Sequence, residues 1–313
     1  MKRNFIRVAE IWTPSRDRSV LEFNSGLYGD SIDFRAVSEK VCFGYDQGLP
    51  GKAWADRHPV VLRDLQNSYF MRAAAARDAG LTCGVAIPIF AGDFLMAVVV
   101  LFCGDDADNV GAIELWHNDP HDDAGMHFVE GYFGIAQSFE FSAMHKTYMR
   151  GFGLPGLVWE NGLPQLLSDL GNAHHALGND DARKVGINKG LGVPSKYVQG
   201  QHYVLTFLSA LGTPIAQRFE IWVPDARRSC LLFQDGICER DGDLNASYDG
   251  VHIGSGHGLL GQVLASGLPV VSDHIHDERS PVGASAALAH LKEVMAFPVL
   301  EAGRVTAVVA MYF

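Results

Sequence analysis

The stretch Gly48-Leu49-Pro50-Gly51 decides the fold because the chain repeats it. It returns as Gly153-Leu154-Pro155-Gly156 and again, with one change, as Gly258-Leu259-Leu260-Gly261. The differences 153 − 48 and 258 − 153 are both 105 residues. Self-similarity at a constant step indicates that three copies of one structural unit follow each other along the chain.

Other landmarks recur in the same order at steps of 104 to 106 residues. A Glu-x-Trp sequence lies in the first strand of each copy, an Asp follows each glycine pair, and a proline lies near the start of the last apolar hairpin. These landmarks are Glu10 and Trp12, Glu114 and Trp116, Glu220 and Trp222; Asp64, Asp169 and Asp273; and Pro88, Pro194 and Pro298. We therefore predict three units over residues 1–105, 106–211 and 212–313, each of ordinary domain size.

Composition and charge exclude several classes of protein. Of the 313 residues, 48% are hydrophobic and 19% charged, the balance of a soluble globular chain. The net charge of −11 and the lack of a basic run argue against nucleic acid as a partner. No apolar run is long enough to span a membrane, and no signal peptide is recognisable. The five cysteines are scattered, as in a reducing compartment, so we expect a cytoplasmic protein.

Apolar patterning predicts an antiparallel sheet with helices in each copy. In the first copy we expect helices over Gly48–Asp56 and Phe70–Ala79, because Pro59 and Gly80 end them. Residues 34–42 fit a helix or a strand. In the second copy we expect a polar helix over 179–184, and the closing strand over 203–208. In the third copy we expect a helix over Ser285–Glu293.

The first copy resembles a GAF domain of the type found in bacterial sensor kinases and cyclic-di-nucleotide enzymes. The motifs that carry this resemblance are Gln47–Trp54, His58–Leu65, Phe70–Ala73, Gly80-Leu81 and Val85–Ile89. The second copy matches at Gly153–Trp159 and departs at 190–200, and the third matches at Gly258–Gly261 and Val270–Asp273. The resemblance implies an α+β fold of three GAF-like (profilin/PAS-like) units, each an antiparallel sheet flanked by helices.

The resemblance also implies a small-molecule pocket in each unit, beside the glycine motif and the following aspartate. The residues that would form these pockets are Gly48, Gly51, Trp54 and Asp64; Gly153, Gly156, Trp159 and Asp169; and Gly258, Gly261 and Asp273. Paired glycines let backbone approach closely, and a helix amino terminus offers N–H groups to an anion. Each aspartate alternatively caps the next turn, and the tryptophans of the Glu-x-Trp sequences fit a core role.

One departure from the family pattern concerns the faces of the sheets. GAF domains usually carry terminal helices that cover one sheet face and often pair into dimers. The junctions at 104–111 and 210–217 are each about one loop long and leave no room for such helices. We expect the three units to cover each other's bare faces, or to recruit a partner, in a homo- or hetero-oligomer, for that purpose.

The sequence gives little support for catalysis, for bilin binding or for metal binding. The GAF-type reductases of free methionine sulfoxide place cysteines around the glycine motif, where this chain has leucine and proline. Cys83 lies nearest and lacks a companion, so we expect a packed thiol. No Cys-His dipeptide suits a bilin, and we expect no haem. His274, His276 and Asp277 share strand-like spacing and are weak candidates for a metal, against the alternative of a solvated loop.

These observations favour a non-catalytic sensory or regulatory protein. It would bind a small molecule, a partner protein or both, and would act on a separate effector. An alternative is a structural or adaptor subunit whose pockets are filled by their own side chains. A weaker alternative is a metal- or thiol-dependent enzyme. The sequence leaves the ligand and any cofactor unknown.

Overall fold

The computed structural model describes residues 4–104, 110–121, 124–170, 180–196, 200–210 and 212–313. They form three antiparallel sheets, each with helices packed on one face. No helix in these ranges is long and apolar enough to cross a lipid bilayer.

The first sheet has six strands in the spatial order β3-β2-β1-β6-β5-β4. Three helices connect them, and the glycine motif begins the second of these. The elements are β1 Ile6–Pro14, β2 Val20–Leu27, α1 Ile32–Ser38, β3 Cys42–Gly44, α2 Gly48–Asp56, β4 Val60–Leu62, α3 Ala73–Asp78, β5 Cys83–Ala91 and β6 Phe94–Cys103. Residues 34–42, which fitted helix or strand, divide between the end of α1 and the start of β3.

The second sheet also has six strands, in the order β10-β11-β12-β7-β8-β9. Its elements are β7 Gly111–Asn118, β8 Gly125–Tyr132, α4 Gln137–Met144, β9 Thr147–Met149, α5 Gly153–Asn161, β10 Gln165–Leu167, α6 Asp180–Lys184, β11 Ile187–Lys196 and β12 His202–Ala210. The stretch at 190–200 that departs from the GAF pattern falls mostly in β11. Its glycines have a packing role, because a Cβ on Gly192 would lie 2.6 Å from Val158 of α5.

The third sheet has seven strands, with β16 added beside β14 to the order β15-β14-β13-β19-β18-β17. Its elements are β13 Arg218–Pro224, β14 Cys230–Cys238, β15 Gly242–Asp243, β16 His252–Gly254, α7 Gly258–Ser266, β17 Val270–Ser272, α8 Pro281–Leu288, β18 Val294–Glu301 and β19 Arg304–Tyr312. The prediction of a helix over Ser285–Glu293 was wrong in its bounds. Pro281 starts α8, and the Ser280 hydroxyl caps it by accepting from the Gly283 N–H at 3.1 Å.

The three sheets pack their helix-free faces together around one shared core. Side chains alternate between the two faces of a strand, so Ile11 points into this core while Glu10 and Trp12 point toward the helices. The core takes apolar side chains from all three sheets, among them Ile11, Val85, Val99, Leu115, Leu191, Leu205, Ile221, Met295 and Val309. This confirms the expectation that the repeated parts of the chain cover each other's bare faces.

Individual strands of different sheets also contact each other around the shared core. Strand β4 of the first sheet packs on β7 and β8 of the second, and β17 of the third packs on β2 of the first. The repeated prolines meet where the sheets converge, because Pro88, Pro194 and Pro298 line one small cavity of about 50 Å³. Lys189 of the second sheet pairs with Glu239 of the third at 2.7 Å.

Candidate functional site

The Glu-x-Trp sequences build the same buried element in all three sheets. Residues two apart on a strand share a face, and each tryptophan Nε1–H donates to the carboxylate of the glutamate two residues before it. The donor–acceptor distances are 2.8 Å from Trp12 to Glu10, 3.0 Å from Trp116 to Glu114 and 3.0 Å from Trp222 to Glu220. All six side chains are buried, which confirms the core role expected for the tryptophans.

In the first sheet a buried arginine neutralises the glutamate. Arg72 donates from Nη1 to Glu10 Oε1 at 2.6 Å and from Nη2 to Oε2 at 2.9 Å. The hydroxyls of Tyr28 and Ser38 also donate to Oε1, both at 2.9 Å. Five aromatic rings surround the guanidinium carbon at 4.7–5.6 Å from their centres: those of Trp12, Phe34, Phe43, Phe70 and Phe102. The chain's own side chains therefore fill this part of the layer between sheet and helices.

In the third sheet an arginine also lies beside the buried glutamate, but it comes from a different position in the repeat. Arg218, on the same strand as Glu220, lies 3.5 Å from its carboxylate. The hydroxyls of Tyr248 and Tyr312 each donate to that carboxylate at 2.8 Å. Arg218 also donates to the Ser285 hydroxyl at 3.0 Å, which ties α8 to the sheet.

The second sheet differs from the other two. Glu114 accepts from Trp116 and, at 3.0 Å, from the Thr206 hydroxyl. No Lys or Arg side chain among the described residues forms an ion pair with it. Burial raises the pKa of Glu114, and the Trp116 and Thr206 hydrogen bonds and the more distant charge of Lys146 act in the opposite direction.

The glycine motifs serve backbone packing. The first glycine of each motif has a left-handed backbone, with φ of 59° at Gly48, 66° at Gly153 and 61° at Gly258. At the second glycine the helix lies against the preceding short strand. A Cβ on Gly51 would lie 2.1 Å from the Gly44 carbonyl oxygen, and Gly156 and Gly261 meet the corresponding carbonyls at 2.2 Å. Any side chain there would displace the helix.

The remaining predicted pocket residues lie at the rims of the helical layers. Trp54 is half-buried with its ring centre 5.4 Å from that of Tyr45, and Trp159 is half-buried 6.1 Å from the His202 ring. The Asp64 carboxylate accepts from the N–H groups of Gln66 and Asn67, as a turn cap does, and these bonds lower its pKa. Asp169 is exposed directly after β10. The three sets of predicted residues lie on three different sheets.

The histidines of the third copy are at the surface. Asp273 Oδ1 lies 2.6 Å from His274 Nδ1, which raises the pKa of His274 and lowers that of Asp273. His276 lies 3.6 Å from Asp277, and the two imidazole centres are 6.1 Å apart. Within the described ranges, no group of three His, Cys, Asp or Glu side chains is placed to hold a metal ion. Cys83 is buried, as expected for a packed thiol.

A cleft that the sequence did not predict lies between the first and third sheets. Two adjoining cavities, of about 390 and 540 Å³, share Leu27, Tyr28, Gly29 and Glu293 as lining residues. Charged side chains of both signs line them, together with His290: Arg7, Asp30, Arg35, Glu39, Asp273, Lys292 and Glu293. Burial, together with the charges of Asp273 and Asp30, raises the pKa of Glu293. Cavities of this size suit small polar molecules.

The repeats differ at one residue of the cleft wall. The position of Leu27 is occupied in the second copy, 105 residues later, by Tyr132. Tyr132 fills the corresponding space between the first and second sheets, where its ring centre lies 5.7 Å from Phe5 and its hydroxyl 2.9 Å from Thr82 Oγ1. The smaller Leu27 lines the cleft between the first and third sheets. His290 adopts φ of 58° at the cleft wall, in the place where the first copy has Gly80.

Comparisons with known proteins give no family assignment. No family model matches the sequence, and no curated protein matches it. Solved structures that resemble part of the chain include GAF domains. A GAF domain/HD domain protein from Geobacter sulfurreducens is 16% identical, with a TM-score of 0.27 over 32% of this chain and 64% of that one. NreA from Staphylococcus aureus, mutated in its nitrate binding site, is 18% identical, with a TM-score of 0.27 over 34% and 79%.

A further solved structure in this set is an enzyme. Free methionine-R-sulfoxide reductase from Neisseria meningitidis, in complex with its substrate, is 12% identical, with a TM-score of 0.25. The match covers 31% of this chain and 52% of that one. This chain therefore spans about half the length of that reductase and about two thirds of the length of the Geobacter protein.

Proposed function

We propose that the chain is a non-catalytic sensory or regulatory protein built from three GAF-like units, over residues 1–105, 106–211 and 212–313. It binds a small polar molecule and acts on a separate effector protein in the cytoplasm. The cleft between the first and third sheets is the observation that carries this proposal, since its volume and its charged lining suit such a ligand.

The position of the cleft supports a regulatory role. Its walls come from β1, β2 and the start of α1 on one side, and from His290, Lys292 and Glu293 on the other. A ligand that contacts both walls favours one relative position of the two sheets. The second sheet shares the apolar core with both, so a change in the relative position of the first and third sheets also affects the packing of the second.

The ligand that fits these walls carries groups of both signs. Lys292 and Arg7 suit a carboxylate or phosphate, and Glu293 and Asp30 suit an ammonium group. The pockets expected beside the three glycine motifs remain a prediction. The first and third sheets offer less room for them, because Arg72 and Arg218 fill part of the corresponding layers.

A structural or adaptor subunit is the second candidate function. The filled layers of the first and third sheets favour it, since a domain without an open pocket contributes mainly a surface. In this case the protein would be found with a protein partner and without a small molecule.

Native mass spectrometry of the protein purified from its own host separates the two candidates. The sensory function predicts a retained small mass in the wild type and its loss in Leu27→Tyr. This variant introduces at the cleft wall the type of residue that the second copy has at the same position, Tyr132. Leu27→Met is the matched control and keeps the mass. A small mass retained equally by Leu27→Tyr would contradict binding in the cleft, and a bare chain found with a second protein would support the adaptor.

A further inference from the structure

The three boundaries between sheets differ in the polar contact that crosses them. Between the first and second sheets, Thr82 Oγ1 lies 2.9 Å from the Tyr132 hydroxyl. Between the second and third sheets, Lys189 pairs with Glu239 at 2.7 Å. At these two boundaries, polar side chains of the chain itself therefore satisfy each other.

The boundary between the third and first sheets has lost the corresponding ion pair. The last residues of β10 and β17 pair with the residues that directly follow Lys189 and Glu293, so Glu293 occupies the place of Lys189. The place of Glu239, 210 residues or two repeat steps earlier, holds Gly29. A Cβ on Gly29 would have no atom within 4 Å. Glu293 and Gly29 thus line the cleft where the preceding boundary has two paired side chains.

Three charged side chains of the cleft have no partner in the fold. Asp30, Lys292 and Glu293 form no ion pair and no side-chain hydrogen bond with any other described residue. Burial and the charges of Asp273 and Asp30 raise the pKa of Glu293, and the charge of Lys292 acts in the opposite direction. A cation at this point would stabilise the Glu293 carboxylate, so the junction of the two cavities favours a positively charged group.

The first cavity contains the groups that suit an anion. Arg7 and Lys292 line it, and neither of them lines the second cavity. Arg7 also donates from Nη1 to the Gly80 carbonyl oxygen at 3.3 Å. Guanidinium and ammonium groups form strong hydrogen bonds with a carboxylate. We therefore place the anionic end of the ligand in this cavity.

The second cavity has an excess of carboxylates. Arg35 lies 2.7 Å from Glu39, so the charges of these two lining residues offset each other. Of the described residues in the lining, the other charged groups are Asp273, which also lies 2.6 Å from the exposed His274, and Glu293. A second positively charged group of the ligand fits this cavity.

An apolar wall connects the two cavities. Leu27 and Tyr28 line both of them, and Ile32 and Ala36 continue the apolar lining in the second. Such a wall suits a short methylene chain, because burying each methylene group is favourable. The ligand then has an anionic end, a cation at the junction, an apolar stem and a second cation.

We propose that the cleft binds a free basic amino acid of the lysine type. Its carboxylate lies at Arg7 and Lys292, its α-ammonium group at Glu293, and its side-chain ammonium group at Asp273. The methylene chain packs on Leu27. This inference rests on the proposed function, because it concerns the same cleft, and it names the class of ligand.

Isothermal titration of the dialysed full-length protein with L-lysine, at constant ionic strength, tests the class of ligand. We expect one site per chain. L-Norleucine has the same chain length without the side-chain ammonium group, and cadaverine has both amines without the carboxylate. Each should bind about tenfold more weakly than lysine, or weaker still, because each loses one charged contact. No lysine binding at millimolar concentration, or equal binding of norleucine, would overturn the proposal.

Two variants test the placement of the ligand. Glu293→Gln should weaken lysine binding about tenfold or more. Lys292→Met should weaken lysine binding and leave cadaverine binding unchanged, because cadaverine has no carboxylate. Glu22→Gln removes an exposed carboxylate of β2 away from the cleft and is the control, with unchanged affinity. Wild-type affinity for lysine in Glu293→Gln would contradict the placement.

Leu27→Tyr separates this proposal from that of the cleft function. We expect this variant to lose lysine binding, and lysine binding at wild-type affinity would contradict the site. If the protein from its own host loses its small mass in Leu27→Tyr but the wild type does not bind lysine, the ligand class is wrong and the cleft function stands. If that mass is retained in Leu27→Tyr, the cleft function itself is wrong.

Discussion

Replacing Arg72 by methionine tests the buried ion pair of the first sheet. The Arg72 and Glu10 side chains are 1% and 0% exposed, and two hydrogen bonds of 2.6 and 2.9 Å join them. Methionine keeps the apolar stem of arginine but has no guanidinium group, so Glu10 is left as a buried charge without a cation. Removing one partner of a buried pair costs about 3–5 kcal/mol. We expect Arg72→Met to lower the free energy of unfolding by that amount at neutral pH.

Urea unfolding with linear extrapolation measures this loss, and a double-mutant cycle shows whether it comes from the pair. In the double variant Arg72→Met/Glu10→Gln the remaining side chain is neutral. We expect the double variant to lose about 1–3 kcal/mol less than the sum of the two single losses. Arg35→Met removes an exposed arginine paired with Glu39 and is the control, with a change of about 0.5 kcal/mol or less. Additive single losses, or an Arg72→Met loss no larger than that of the control, would refute the reasoning.

Three further changes have defined outcomes. Gly51→Ala should lower the free energy of unfolding by about 2–4 kcal/mol, because the new Cβ would meet the Gly44 carbonyl at 2.1 Å. Tyr132→Phe should cost about 0.5–1.5 kcal/mol, because it removes the hydrogen bond to Thr82 between the first and second sheets. Burial raises the folded-state pKa of Glu114, so stability falls as pH rises from about 4.3, the ordinary carboxyl value, through that raised pKa. Glu114→Gln should remove this part of the pH dependence.

Each of these changes has a control variant. Lys52→Ala alters the half-buried neighbour of Gly51 in α2 and should change stability by about 0.5 kcal/mol or less. Tyr45→Phe removes an exposed hydroxyl and should be similarly mild. Glu160→Gln should retain the wild-type pH profile. Equal effects of a variant and its control in urea unfolding would show that the contact named for that variant does not stabilise the fold.

The repeat made much of the architecture predictable. Landmarks that recur at steps of 104 to 106 residues indicated the threefold division, and apolar patterning indicated antiparallel sheets. The short junctions implied that the sheets cover each other, and the shared core agrees with this. The bounds of α8 were missed because Pro281 was not used as a helix start, although proline is common at the first helical position.

The chemistry of the layers was less predictable. The Glu-x-Trp repeat was visible, but the cations beside Glu10 and Glu220 come from unrelated positions: Arg72 precedes α3, and Arg218 lies in β13. Such long-range pairs leave no local pattern. The signal available was the recurrence of a glutamate in an apolar strand, which requires a buried partner. The cleft was hidden because its walls come from parts of the chain that are distant in sequence.

Hydrogen exchange of the native protein, followed by mass spectrometry, tests most directly whether the three sheets form one cooperative unit. Strands β1, β7 and β13 lie in different copies but face the same core. If that core holds the molecule together, their slowest amides share one opening free energy and one dependence on urea. Three distinct opening free energies, with one sheet exchanging while the others stay protected, would contradict the shared core and the coupling that the proposed regulation requires.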